Sequence, residues 1–412
     1  MDKIKIGVIG VGRGRTMIDY CRRAENATLV AICDFWREGL DKARNEIGDE
    51  VTYYTSYDEF LKHDMDAVVL ANYATEHAPF AIKALQHGKH VLSEVLPVQT
   101  MAEAVALIEA VEQSGLTYAY AENYCFMPAP REMKKLYQEG KLGLFEYGEA
   151  EYIHNCLPIW PDITYGDKHH WRNHMYATFY ATHSIGPIVH ITGLRPVKVT
   201  GYEIPYGSRA AKMGKLGATA GIEMIEFENG AILKSIHGDL SKNSIWFSLY
   251  GTKGRMESAR EDLVNGDVER IYLNLDSEED AFDGTPVTYE PKDELSEIAS
   301  GYGHGGSDFY TMYNFVEKLK GNQKADTIDV YEAMDMFLPG MFAYRSILEG
   351  GIPKEVPNLR IKSVRDHFRN DLQCTDPIVA KEQRIPCQKN GNPQIDDQLY
   401  EEIKQVWKSH QE

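Results

Sequence analysis

Along the first 125 residues, short apolar and β-branched runs alternate with stretches whose apolar positions recur every three or four residues. The runs at 4–9, 27–33, 66–71, 90–93 and 116–121 read as strands. Residues 16–23, 76–87 and 101–114 carry helical spacing, and Thr100 with Glu103 opens the last of them as a capping box. Repeated strand–helix units predict a parallel sheet with right-handed crossovers and helices on both faces. From about Phe145 the period changes to two. EYGEAEYIHN, VKVTGYEI, GIEMIEF, AILKSIHG and SIWFSLYG read as strands with few helices between them, and Glu228-Asn229-Gly230 separates two of them as a hairpin turn. That pattern predicts a large, mostly antiparallel open sheet. Helices are expected near 308–319 and 329–348, and a polar tail after Asn358 ends in a short helix near 398–407. The reading is an α/β protein with a doubly wound domain at 1–125, an α/β sheet domain at 126–358 and an extension at 359–412.

The turn after the first strand reads Gly10-Val11-Gly12-Arg13-Gly14-Arg15. Glycines there let the backbone approach a pyrophosphate, which the free N–H groups and dipole of the following helix then hold. The strict spacing asks for glycine where Arg15 stands. Gly14 takes part of that role, and Arg13 or Arg15 offers phosphate contacts. Asp34 ends the next strand, where a carboxylate accepts hydrogen bonds from the adenosine ribose hydroxyls and repels a 2′-phosphate. The first domain therefore reads as a Rossmann domain for NAD rather than NADP, with Arg37 nearby as the one contrary sign.

Composition narrows the function classes. The 412 residues carry 44 Lys plus Arg against 62 Asp plus Glu, a formal net charge of −18. Such an acidic chain is a poor partner for a phosphate backbone. No apolar run approaches the roughly 20 residues of a membrane span. The opening MDKIKIGVIGVG reads as a strand entering a turn, not as a secretory signal. Cys21, Cys33, Cys125, Cys156, Cys374 and Cys387 are dispersed, without a CxxC pair, as expected of reduced thiols in the cytoplasm. Nucleic acid and membrane are not expected partners. The acidic stretch 276–283 reads as a solvated loop.

The pieces IGVIGVGRGR, the strand-end Asp34, ANYATEHAPFAIKALQHGKHVLSE and THSIGPIVHITG resemble the Gfo/Idh/MocA oxidoreductases over most of residues 4–355. The resemblance implies a Rossmann domain followed by an open-sheet α/β domain, a nicotinamide cofactor, and oxidation or reduction of a hydroxyl on a sugar or cyclitol. Two departures matter. Where the family carries Glu-Lys-Pro, whose Lys helps move the hydroxyl proton, this chain reads Glu94-Val95-Leu96-Pro97, so Val95 stands at the Lys position. Where the family has Asp four residues before a His, Phe179 precedes His183. Tyr180-Ala181-Thr182-His183, Ser184-Ile185-Gly186-Pro187 and Gly303-His304-Gly305-Gly306 near Asp308 are similar to glycoside hydrolase family 109. Those enzymes share the fold, lack the same Lys and reduce their NAD transiently during glycoside cleavage. Two outcomes are thus implied for a 3-keto sugar. A dehydrogenase releases it. A redox glycosidase uses the ketone to acidify the C2 proton, eliminates the aglycone, adds water and returns the hydride. The dehydrogenase needs fewer assumptions and leads. A catalytically dead NAD sensor is the rival from another class, and His183 with the polar loops argues against it.

Within this reading His183 is the expected base for the hydroxyl proton, with Tyr180 as proton donor or hydroxyl ligand; for Tyr180 a core aromatic is the plain alternative. Gly10, Gly12, Arg13, Gly14, Asp34, Asn72, His77, Glu94 and Asn123 are the expected cofactor contacts, with Glu94 on the nicotinamide ribose. His154, His170, Trp171, Arg172, His304 and Asp308 are the expected substrate contacts, a helix cap being the plain alternative for Asp308. His170 and His174 would share one helical face, but the run has no Glu in a zincin arrangement. It reads as a sugar loop, Trp171 stacking on the pyranose, with no metal. Copies of the chain are expected to associate through the C-terminal sheet.

Overall fold

The computed structural model describes residues 3–260, 270–276, 284 and 286–411; of the acidic stretch 276–283, all but Asp276 lie outside the described residues. The chain divides into two units. The first comprises Met1–Met127, Lys292–Met334 and Leu359–Asp371, and the second Pro128–Pro291, Asp335–Asn358 and Leu372–Glu412.

The first unit is built on six parallel strands: β1 (Ile4–Ile9), β2 (Ala27–Cys33), β3 (Thr52–Tyr54), β4 (Ala67–Leu70), β5 (His90–Ser93) and β6 (Tyr118–Tyr120). Their order is β3-β2-β1-β4-β5-β6. Ile6, Val8, Val68, Val69 and Val91 are fully buried, as near-continuous apolar strands covered on both faces must be. The helix Met101–Ser114 opens with the Thr100–Glu103 capping box in place. The order reverses between β1 and β4, and that switch opens a ligand crevice at the carboxyl ends of the strands.

Later chain returns to this unit. Ile328 pairs with Tyr120 beside β6. The helix Ser307–Leu319 buries Phe309, whose ring lies 5.6 Å from that of Tyr20. Arg365 donates to Glu112 at 2.7 Å and Arg369 to Glu109, which ties 359–371 to the helix Met101–Ser114. The continuous domain expected over 126–358 is therefore interrupted, and the extension expected over 359–412 is split at Asp371. Periodicity reports that a helix buries one face; it does not report against which element.

The second unit holds β7 (Phe145–Ile153), β8 (Pro196–Glu203), β9 (Ala220–Phe227), β10 (Ile232–Gly238), β11 (Ser244–Gly251), β12 (Gly254–Ser258), β13 (Ile271–Leu275), β14 (Val287–Tyr289) and β15 (Lys354–Glu355). Their order is β14-β13-β12-β11-β7-β10-β9-β8-β15, and among the described residues only the β7–β10 pair of this sheet is parallel. The β9–β10 hairpin closes at the expected turn, where Asn229 accepts from the Ala231 N–H at 3.0 Å. Alternation puts Ala150, Tyr152, Glu223, Ser235, His237 and Phe247 on one buried face. The helix Thr182–Thr192 packs on that face over β7, β10 and β11. The C-terminal helix spans Asp397–Ser409 and packs on the short helix Trp160–Thr164. Among the described residues, no helix is long and apolar enough to cross a membrane.

Candidate active site

In the first unit the glycine turn has the shape a pyrophosphate needs. Gly10 has φ +98°, and a Cβ there would meet the Ala71 carbonyl oxygen at 2.3 Å. A Cβ on Gly12 would meet nothing within 4 Å, so that side of the loop is open. The helix Arg15–Arg23 starts from Gly14 with no side-chain cap. The Gly14 and Arg15 N–H groups turn back to the Gly10 and Gly12 carbonyls, at 3.1 and 3.3 Å, and such a helix start offers the N–H groups that follow to an anion. Asp34 accepts from the Val11 N–H at 2.8 Å and from the Trp36 N–H at 2.9 Å, one on each oxygen. Each oxygen keeps a lone pair for a ribose hydroxyl. Asn72 donates to Glu76 at 3.1 Å, while its Oδ1 is buried without a partner. An open cradle, a ribose carboxylate and an orphaned acceptor fit NAD.

Several of the expected cofactor and substrate residues bond to one another. The Arg13 guanidinium does not face the phosphate loop alone. It forms a bidentate pair with Asp308, at 3.0 and 2.9 Å, and an ion pair with Glu94 at 2.7 Å. Asp308 also takes His304 Nδ1 at 3.0 Å and Asn123 Nδ2 at 3.3 Å. Burial alone would raise the Asp308 carboxyl, but His304 and Arg13 outweigh it and hold it well below the usual carboxylate range. Glu94 and Asp308, expected on the cofactor and the sugar, thus grip Arg13, while His304 and Asn123, expected on the sugar and the cofactor, grip Asp308, all within the first unit. Arg15 pairs with Glu46 on the surface. His77 is buried, with Nδ1 at 2.9 Å from the Leu96 carbonyl and Nε2 at 3.2 Å from the Asn72 carbonyl. Burial pushes its imidazole down to about 4 against those carbonyls, so the neutral ring donates to one of them and braces the loop.

In the second unit a cluster of imidazole and phenol rings forms around His183. Pro187 lies inside the helix Thr182–Thr192 and has no N–H to return to the His183 carbonyl. The first turn is held instead by Ser184 and Ile185 N–H groups donating to Ala181 at 3.0 and 2.9 Å. The His183 ring lies 4.6 Å from the Tyr152 ring and 5.0 Å from the Tyr180 ring. His154 Nδ1 is 3.2 Å from the Tyr152 hydroxyl. Trp171 stacks on Tyr180 at 6.2 Å, and the Arg172 guanidinium lies over both, at 4.5 Å from Trp171 and 5.7 Å from Tyr180. The five expected residues His183, Tyr180, His154, Trp171 and Arg172 are thus brought together. His170 differs: it is buried, and its Nδ1 accepts from the Arg172 N–H at 3.3 Å, capping the turn Trp171–His174. Burial, with Arg172 and His174 nearby, pushes His170 down to about 3. The turn is a 3-10 helix, so His170 and His174 do not share an α-helical face. Among the described residues, no group of three His, Cys, Asp or Glu side chains could hold a metal ion.

Sequence reasoning missed Tyr152, His237 and the pair Lys215–Asp239. His237 stands opposite Tyr152 across the β7–β10 pairing, and their rings are parallel at 5.7 Å. Its Nδ1 donates to the Ala177 carbonyl at 3.0 Å, which leaves Nε2 as an acceptor, and burial pushes it down to about 4. The signal was present: in AILKSIHG, His237 shares the inward parity of Leu233 and Ser235. Asp239 forms a buried ion pair with Lys215. Burial alone would raise the Asp239 carboxyl, and the ammonium outweighs it and holds it low.

Residues 4–122 match the model of the Gfo/Idh/MocA oxidoreductase family, NAD-binding Rossmann fold. Residues 162–363 match the glycosyl hydrolase 109 C-terminal domain. Glycosyl hydrolase family 109 protein 1 of Phocaeicola vulgatus is 25% identical over 87% of this chain and 84% of its own. Glycosyl hydrolase family 109 protein 2 of Shewanella sp. strain ANA-3 is 26% identical over 87% of this chain and 86% of its own. An Agrobacterium radiobacter oxidoreductase, solved with NAD+, L-tartaric acid and magnesium, superposes with a TM-score of 0.70 at 14% identity, over 86% of this chain and 99% of its own. A Lactobacillus casei scyllo-inositol dehydrogenase, solved with NAD(H) and scyllo-inositol, gives 0.67 at 19% over the same shares. At such identities the two solved structures speak for the fold.

Proposed function

From a chain that is an enzyme of Gfo/Idh/MocA type, with an NAD-binding Rossmann domain and a glycosyl hydrolase 109 C-terminal domain, we infer that this protein oxidises a ring hydroxyl carbon, C3, of a pyranoside. Gly10, Gly12, Gly14 and Asp34 hold the cofactor. NAD, when bound, supplies the hydride acceptor. The hydroxyl proton needs a base, and Val95, buried at the Lys position, cannot provide one. His183, ringed by Tyr152 and Tyr180, takes that proton at an imidazole nitrogen. This ring-lined imidazole is the observation that carries the reading. Trp171 and Tyr180 offer flat faces to a pyranose, and Arg172 and His154 offer polar groups to its hydroxyls.

The second reading, net glycoside cleavage without consumption of NAD, is favoured by the 162–363 match and by relatives named as family 109 glycosyl hydrolases. A panel of aryl glycosides, assayed with and without added NAD+, separates the two. NADH absorbance rising in step with turnover means dehydrogenation. Released aglycone with constant NADH absorbance, and solvent deuterium entering C2, means redox cleavage. C3-deuterated substrate slows hydride transfer in single turnovers under either, and an unchanged rate would move oxidation off C3.

We place the enzyme in the cytoplasm, in keeping with six buried cysteine thiols. We further place association of copies on the outward sheet face, where Tyr250, Met224 and Tyr272 are exposed. Light scattering that reads one chain mass would remove that assembly.

A further inference from the structure

We propose that the C-terminal helix Asp397–Ser409 is the positioning element of the substrate loop 157–174, holding it in the conformation that sets Trp171 and Arg172 beside Tyr180. Its catalytic consequence rests on the pyranoside reading above; its geometry does not.

The loop closes on itself through Asn173, which accepts from the Trp160 indole N–H at 3.2 Å and donates to the Asp167 carbonyl at 2.9 Å. It contains a five-residue helix, Trp160–Thr164, and the turn Trp171–His174. Pieces this short are not stable by themselves and take their order from packing. The C-terminal helix supplies it. Asp396 caps its start, accepting from the Gln398 N–H at 3.0 Å. One face presents Leu399 and Ile403 to a cluster with Trp160, Met213 and Cys156. Tyr400 donates its hydroxyl to the Gly214 carbonyl at 2.8 Å.

The loop runs against this helix without a gap. A Cβ on Gly166 would meet the Lys404 backbone nitrogen at 2.5 Å and the Tyr400 carbonyl oxygen at 2.6 Å, so glycine alone fits. The preceding Tyr165, φ +59°, ends the helix Trp160–Thr164 as a left-handed cap, its N–H donating to the Pro161 carbonyl at 2.9 Å. Its ring lies 5.4 Å from that of Trp407 and 5.8 Å from that of His170. The row continues from His170 to Trp171 at 5.9 Å and from Trp171 to Tyr180 at 6.2 Å. Five rings thus link the C-terminal helix to the tyrosine beside His183. Lys168–Asp397 at 3.1 Å and His410–Asp162 at 3.0 Å pin the two ends. Both pairs are exposed, so the ring row carries the coupling.

The test uses full-length Trp407→Ala and Trp407→Phe, with Trp407→Leu in place of the alanine variant should that not yield folded protein. Amide hydrogen exchange in 160–174 should speed up in the alanine variant, while 220–238 keeps its protection, and the phenylalanine variant should restore the loop. With a turned-over aryl glycoside, KM should rise about tenfold, with kcat changing by less than about threefold and NAD+ affinity held, a loss of substrate positioning rather than of chemistry. Unchanged exchange in 160–174 overturns the proposal. So does faster exchange with unchanged KM. If the native protein turns over no glycoside, the pyranoside reading falls, and the exchange comparison alone upholds or overturns the positioning role.

Discussion

His183 and Asp34 are single residues whose neighbours define what each can do. General-base assistance contributes roughly 10²–10⁴-fold. His183→Ala should therefore slow single-turnover hydride transfer by about that factor, while calorimetry finds NAD+ affinity nearly unchanged. Near-native rates in that variant would take the role from His183. Asp34 is gripped by two backbone N–H groups, so its carboxylate is already aimed before a nucleotide arrives. A hydrogen bond to a charged group is worth about 1.5–3 kcal/mol. Asp34→Ala should thus weaken NAD+ binding about 10–100-fold and relax discrimination against NADP. Tighter NADP than NAD+ binding by the native protein would mean that this carboxylate does not select. The places of both in the fold were legible because their signals are local: a strand end after a glycine turn, and a His at the head of an apolar helix. The pairing of Asp308 was not legible, because its partner Arg13 stands 295 positions away.

Elements make that distant pair possible. The helix Ser307–Leu319 leaves Asp308 nearly fully buried against Arg13, which keeps about a third of its side chain exposed. Removing one partner of a buried pair costs about 3–5 kcal/mol because a charge is left behind. Partial exposure of Arg13 puts Arg13→Ala at the lower end of that range in urea unfolding. Asp308→Asn added to Arg13→Ala should recover part of the loss, because Arg13→Ala also removes the ion pair with the buried Glu94. A loss below about 0.5 kcal/mol would class the pair with surface ion pairs. At this scale the capping box at Thr100, the β9–β10 turn and the alternation along β10 are all written in short windows of sequence. The destination of a segment is not, as 292–334 and 359–371 demonstrate by joining the first unit.

Buried titratable groups spread over the whole molecule give it a predictable pH response. His77 and His237 are held down to about 4 by burial, from an ordinary 6.5. As pH falls from about 6.5 towards 4, the unfolded chain binds protons that the folded chain refuses, so stability drops, by about 1.4 kcal/mol per proton per pH unit. Glu223, fully buried opposite Ser235, is pushed up to about 8 from 4.5. As pH rises from about 4.5 towards 8, the folded chain keeps a proton that the unfolded chain has released, so stability again drops. The histidines outweigh Glu223 on the acid side, and the maximum should lie near pH 6–7. Calorimetric Tm across pH 4.5–9 checks this, and Glu223→Gln should flatten the alkaline limb. An alkaline limb unaltered by that substitution would mean that Glu223 is already ionised in the folded protein.

The sequence by itself determined the α/β class, the parallel and antiparallel sheets, the glycine turn with Asp34 at the next strand's end, and the helix start at His183, because each depends on periodicity, turn chemistry or spacing within some thirty residues. Tertiary structure alone decided the rest. It joined Glu94 and Asp308 to Arg13, and Asn123 and His304 to Asp308, made His77 and His170 buried braces, brought His237 and Tyr152 beside His183, and set the C-terminal helix against residues 157–174. The physical reason is the same in each case. A charge, an imidazole or an aromatic ring declares in sequence only what it can bond to, and packing between segments far apart in the chain determines which partner it meets.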